Sequence, residues 1–139
     1  ETKSIAIGQG ISRLIAGRNG SFTIIARDEF SNNLTRGGDP FVVWLVYTSP
    51  VLRKNQTIHD LQNGLYETYF ILTATGIYNI EVRLAGNHIS GSPFTVIVDP
   101  ASVDPSKTTL SGSGINGVPL GKESHFDVQL SDEFGNTIK

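Results

Sequence analysis

The sequence has no cysteine. That excludes a disulfide framework, a thiolate zinc site and a cysteine nucleophile, and it leaves the redox compartment open. It has little charge of either sign, with 11 Lys and Arg against 13 Asp and Glu, a formal net charge of −2. A basic nucleic-acid footprint is therefore absent, and no nucleic-acid partner is expected. Long apolar runs are missing too. None approaches the roughly 18 residues a membrane-spanning helix needs, so no direct membrane insertion is expected of this segment. The opening stretch ETKSIAIGQG lacks the apolar core of a signal peptide and starts at Glu1 instead of methionine. We therefore expect a segment of something longer. What is present argues for a folded chain. At 38% hydrophobic and 17% charged residues, it is too apolar for disorder, and 15 Gly and 6 Pro punctuate it too often for a helical bundle. Its 139 residues fit one domain, or one domain plus a fragment.

The chain repeats itself at an offset of 104 residues. Gly17 falls on Gly121, Phe22 on Phe126, Asp28 on Asp132, Glu29 on Glu133, Phe30 on Phe134 and Asn32 on Asn136. Upstream, Gly8, Gly10 and Ile11 fall on Gly112, Gly114 and Ile115. An ungapped series of this kind marks an internal repeat. The expected organisation is a complete unit over 1–99, a linker over 100–107 and the truncated start of a second unit over 108–139. The second piece is too short to bury a core by itself. It is expected to be ordered only by leaning on the first unit or on another chain.

The first unit reads as all-β. Segments of period-two polarity alternate with Gly, Asn, Asp and Pro punctuation. Strands are expected near Thr2–Ile7 and over Ser21–Arg27, Phe41–Thr48, Gln56–Asp60, Gly64–Leu72, Gly76–Leu84 and Ser92–Val98. Seven strands in about 100 residues with no amphipathic helix define an immunoglobulin-like β-sandwich. Ile24 and Ile80 stand where a disulfide-linked domain would carry its cysteines. Trp44 is expected to point into the core, and Tyr78 is a candidate tyrosine corner.

These residues carry a resemblance. Gly64-Leu65-Tyr66 with Phe70, then Gly76-Ile77-Tyr78-Asn79-Ile80-Glu81-Val82, is similar to the centre of a filamin-type repeat. Gly86-Asn87-His88-Ile89-Ser90-Gly91-Ser92-Pro93-Phe94 resembles its closing stretch, and Gly8-Gln9-Gly10-Ile11 with its copy Ser111–Ile115 resembles its start. The resemblance covers nearly all of residues 2–99. It implies tandem sandwiches that scaffold, cross-link or adhere, and it implies no catalysis.

Chemical motifs are few. Gly112-Ser113-Gly114-Ile115-Asn116-Gly117 spells a dinucleotide-binding pattern, but Pro119 and Gly121 follow where a helix would have to begin, so it reads as a turn. His59, His88 and His125 are scattered, and Asp28, Glu29, Asp99 and Asp104 sit at turns, where such side chains cap backbone groups. No metal, cofactor or catalytic residue is expected, and the chain is read as non-enzymatic.

Two features remain. If Trp44 points in, then Val43, Leu45 and Tyr47 point out, with Thr57 and His59 outward on the next strand. The resemblance implies that an extended partner adds as an extra strand in the groove between these strands. The competing reading has a neighbouring repeat, or residues 101–139, covering this face. The second feature is three N-glycosylation sequons, Asn19-Gly20-Ser21, Asn33-Leu34-Thr35 and Asn55-Gln56-Thr57, all expected in loops. The sequons and the absence of thiols favour an adhesion module of an extracellular or cell-surface glycoprotein. Its expected partners are proteins and neighbouring repeats of the same chain, with possible self-association into arrays. The alternative is a rod segment of a cytoplasmic, cytoskeletal actin cross-linker.

Overall fold

Alternating apolar residues build two sheets that meet face to face, and a computed structural model describes residues 2–139. The chain divides into two compact units, Glu1–Asp99 and Pro100–Lys139. In the first, β1 (Ile5–Ile7), β3 (Asn19–Ile25), β7 (Leu65–Ile71) and β6 (His59–Asp60) form one sheet in the order β1-β3-β7-β6. The facing sheet runs β2 (Arg13–Ile15), β10 (Phe94–Asp99), β8 (Gly76–Leu84), β4 (Phe41–Thr48) and β5 (Val51–Gln56), with β9 (Asn87–His88) also on β8. Neighbours are antiparallel apart from the parallel pair β2–β10. This is the immunoglobulin-like sandwich expected from the pattern, with β2, β5 and β9 added.

The core collects one face of each strand. Phe22 and Ile24 of β3, Tyr66 and Phe70 of β7, Ile80 and Val82 of β8, and Val96 and Val98 of β10 are all buried. Phe22 meets Phe70 edge-on at 6.3 Å between ring centres. Ile24 and Ile80, where a disulfide-linked domain was expected to carry its cysteines, are both fully buried in the core, so apolar packing holds the sheets, at about 1.5–3 kcal/mol per fully buried side chain. The Tyr78 hydroxyl donates to the Ala74 carbonyl at 3.0 Å, which is the bond of a tyrosine corner. The buried Tyr66 hydroxyl donates to Asp39 at 2.7 Å and accepts from its amide at 2.9 Å. Burial, with Asp39 beside it, pushes that phenol up to about 12.

Trp44 corrects the sequence reading. It lies half-buried on the outer face of its sheet, and Val43 and Leu45 are buried in the core, with the partly buried Tyr47 packed against it. Both parities of Phe41–Thr48 are apolar, so alternation within β4 does not choose a face. Its neighbour β8 does. Val43 pairs with Val82, Leu45 with Ile80 and Tyr47 with Tyr78, whereas Trp44 pairs with Glu81 and Val46 with Asn79. Polar Asn79, Glu81 and Arg83 keep their side of β8 in water, and cross-strand partners share a face.

The second unit has two short strands, β11 (Thr109–Ser111) and β12 (Asp127–Gln129). They repeat the register of β1 and β3: Ile5 pairs with Ile25 as Thr109 pairs with Gln129. The stretch read as a linker, 100–107, is largely bonded into this unit. Ala101 donates to the Asp132 carboxylate at 2.9 Å and Asp104 to the Ser131 carbonyl at 2.8 Å. The dinucleotide-like glycines close a 3-10 turn, Ser113–Asn116, with no helix after it. A Cβ on Gly112 would lie 2.7 Å from the His125 carbonyl, just as one on Gly8 would lie 2.7 Å from Phe22 Cα. Both glycines are there because the turn rests directly on strand backbone.

Candidate partner-binding edge and groove

Strand β5 was not expected from sequence, and it changes the site. It leaves β4 through a tight turn at Ser49-Pro50 and pairs with it from Thr48↔Val51 to Val43↔Gln56. The edge of β4 on which a partner was expected to add is thereby occupied by the chain itself. The expected neighbour, Gln56–Asp60, forms only β6, which pairs with β7 in the opposite sheet. The free edge has moved outward to β5, whose residues are exposed up to Asn55. A sheet edge presents unpaired N–H and C=O groups ready to accept another strand.

The two faces of β5 differ. Leu52, Lys54 and Gln56 stand opposite Tyr47, Leu45 and Val43, so they lie on the core side of the sheet and overhang its rim. Beneath them opens an apolar groove of about 320 Å³, lined by Leu45, Tyr47, Leu52, Leu72, Ala74 and Tyr78. A wider cleft of about 600 Å³ shares Leu45, Lys54 and Tyr78 and extends past Gln56 to Tyr69 and Asn19. The floor is rigid. The Tyr47 and Tyr78 rings pack 4.7 Å apart, and their hydroxyls donate to the carbonyls of Thr75 and Ala74. Burial and the neighbouring Tyr47 raise the Tyr78 phenol above its ordinary range. Lys54, on the core side of β5, brings a positive charge to the groove.

On the outer face, Arg53 sits 5.1 Å over the Trp44 ring and reaches Glu81 at 2.8 Å, which Arg83 also contacts at 3.3 Å. These bonds pin β5 to the sheet from outside and leave Lys54 to face the groove.

The five residues expected to bind a partner are thus split. Val43 lies in the core, Leu45 and Tyr47 form groove floor, and Thr57 and His59 are exposed on the sheet of β6 and β7. Thr57 gives its carbonyl to the Thr68 hydroxyl at 2.8 Å, and His59 packs against the Tyr69 ring at 5.9 Å. The signal for β5 lay in Val51–Gln56 itself, but its consecutive polar residues hide an alternation that shows only against β4. All three sequon asparagines are exposed. Asn33 is in a loop as expected, whereas Asn19 opens β3 and Asn55 lies within β5. Among the described residues, no three His, Asp or Glu side chains are placed to hold a metal ion.

The first unit is an immunoglobulin-like sandwich, and the second repeats the hydrogen-bonded corner, Asp132 standing for Asp28, and the strand register with which the first opens. The Filamin/ABP280 repeat family matches residues 2–95, and the chain belongs to it. It is 29% identical over 133 residues to the E3 ubiquitin-protein ligase TRIM71 of Bos taurus, across 96% of this chain and 14% of that protein. It is 31% identical over 110 residues to Filamin-A of Drosophila melanogaster, across 79% of this chain and 4% of that protein. The chain thus spans a small part of these relatives' length. Its fold resembles the Lin-41 filamin domain, with a TM-score of 0.61 at 19% identity over 70% of this chain and 93% of that one. It also resembles invasin, a bacterial integrin-binding protein, with a TM-score of 0.68 at 18% identity over 98% of this chain and 27% of that one.

Proposed function

We propose that this segment is a non-enzymatic interaction module that captures an extended, acid-bearing protein strand on the free edge of β5. The observation that carries it is the overhang of Leu52, Lys54 and Gln56 above the apolar groove. An added strand takes main-chain bonds from the edge, and every second side chain reaches the groove. Lys54 favours a partner with Glu or Asp, and together with Arg53 it disfavours a second copy of β5. An antiparallel β5–β5 pair centred on the strand sets these two cations against each other, and like charges directly opposite destabilise a sheet. The test is calorimetric titration with two synthetic eight-residue strands, one alternating Val with Glu and one alternating Val with Lys. We expect binding of the Glu strand only, weakening as salt rises. Equal binding of both, or of neither, contradicts the reading.

We place the module in an extracellular or cell-surface glycoprotein, on the strength of three exposed sequons at Asn19, Asn33 and Asn55. A second reading, a rod or scaffold segment inside the cell, is favoured by sequence relatives that are a filamin and an E3 ubiquitin-protein ligase. Intact mass of the natural protein before and after enzymatic N-glycan removal separates them. Loss of glycan mass supports the first, and an unmodified mass supports the second.

A further inference from the structure

The three sequons stand in unequal places. Asn33 lies in the loop after β3, where its side-chain carbonyl accepts from Arg27 Nε at 3.0 Å. Asn19 opens β3. Asn55 lies on the free edge itself, within β5. It is exposed, and it pairs with Trp44, so its side chain stands on the outer face of the sheet.

The surroundings of Asn55 decide where a group attached to it goes. On the sheet side its cross-strand neighbour is Trp44, with Cβ atoms about 4.5–5.5 Å apart. Arg53, on the same face of β5, lies 5.1 Å over the Trp44 ring and is tied to Glu81 at 2.8 Å. The space over the sheet is thus filled, and a sugar linked to the Asn55 amide nitrogen is turned out past the free edge. A strand added to that edge puts one of its own side chains opposite Asn55, on the same face and at the same spacing. Both groups need that space. Proteins keep sheet edges from pairing by covering them, and an N-linked glycan is a bulky, solubilising cover.

We propose that Asn55 is an N-glycosylation site whose occupancy closes the β5 edge, so that a chain glycosylated there captures no strand and a bare one does. The inference rests on strand capture at β5 and on passage through the secretory pathway, both read above. In the modification, a bond forms from Asn55 Nδ2 to the first sugar carbon of an oligosaccharide as that carbon's bond to a lipid diphosphate donor breaks. The amide nitrogen gives up one proton, and the lipid diphosphate leaves.

The test uses the whole chain in two variants. Ser21→Ala with Thr35→Ala keeps only the Asn55 sequon, and Ser21→Ala with Thr57→Ala keeps only that of Asn33. Each is made in a host that does not N-glycosylate and in a secreting host that does, and each form is titrated with the alternating Val-Glu strand. We expect both bare forms and the Asn33 glycoform to bind alike. The Asn55 glycoform should bind at least tenfold more weakly, with a melting temperature no lower than that of its bare form. Undiminished binding by the Asn55 glycoform overturns the proposal, as does an equal loss with the Asn33 glycan. So does a loss that comes with unfolding, or an Asn55 that stays bare in the secreted chain. Bare forms that do not bind the strand overturn capture at β5, with no glycan involved, and this proposal with it. A natural protein without N-glycan overturns the secretory reading, and again this proposal with it.

Discussion

Phe22 and Phe126 occupy the same place in two copies of one pattern, and so do Ile24 and Val128. Phe22 and Ile24 are sealed in the core, while Phe126 and Val128 are 59% and 49% exposed. The corner, the glycine turn and the strand register are nonetheless the same in both copies. The local hydrogen bonds are thus the same in both copies, and in the first unit the strands that follow, β4 to β10, bury the apolar face. The largest consequence is a contrast between Phe22→Ala and Phe126→Ala. The first should cost about 3–5 kcal/mol, the usual penalty for emptying a buried aromatic site. The second should stay within about 0.5 kcal/mol in this chain, as for an exposed position. Urea unfolding followed by residue-resolved NMR reads both, and similar costs would remove the contrast.

A second comparison separates groove floor from groove rim. Leu45→Lys places a charge at a site 4% exposed, and the sandwich should unfold or lose several kcal/mol. Leu52, 62% exposed on β5, should tolerate lysine with a melting temperature within a few degrees of the parent, while binding of the acidic strand falls at least tenfold. Thermal melts and titrations of the two variants distinguish them. Unfolding of both would place β5 within the core.

The two aspartate corners give a pH comparison. Hydrogen bonds from Asn32, its side chain first, hold the Asp28 carboxyl below the usual range. At Asp132 burial pushes upward, but the donors from Asn136, Ala101 and Phe134 outweigh it, and the net direction is again down. A carboxylate depressed on folding stabilises above its unfolded value, near pH 3.9, and that contribution is lost as pH falls through the folded value. Stability should therefore be level above about pH 5 and fall below pH 4. Asp28→Asn should flatten the fall in the first unit and Asp132→Asn in the second. Melts between pH 2 and 6 read this, and an unchanged acid limb contradicts it.

The smallest effect lies at the bend of each corner. Ser31 and Gly135 both adopt left-handed backbone, φ 72 and 81. A Cβ on Gly135 would meet nothing within 4 Å, so the difference between the copies is one of backbone strain. Ser31→Gly should stabilise the first unit by about 0.5–1 kcal/mol, and Gly135→Ser should weaken the second by a similar amount. Denaturant midpoints measure both.

Much of the sandwich was legible because most strands alternate cleanly. Gly76–Leu84 sets Tyr78, Ile80 and Val82 against Asn79, Glu81 and Arg83, and only one face can be buried. The repeat was legible through Asp28, Asn32 and their copies, since a corner that spends its side chains on its own backbone needs fixed residue types. The site was not. Phe41–Thr48 is apolar on both faces, so its orientation is set by the register with β8, a long-range pairing. Strand β5 reads as polar because an edge strand carries Arg53, Lys54 and Asn55 toward water. The bond between Ala101 and Asp132 spans 31 residues, and no local pattern encodes it.

The most direct measurement is amide hydrogen exchange across the first unit, with and without the acidic alternating strand. Alone, the outward amides of β5 should exchange freely while those of β4 are protected. With the strand bound, the β5 amides should slow at least tenfold and β4 should not change. Protection that appears on β1 or β2 instead, with β5 still exchanging freely, would contradict capture at the β5 edge.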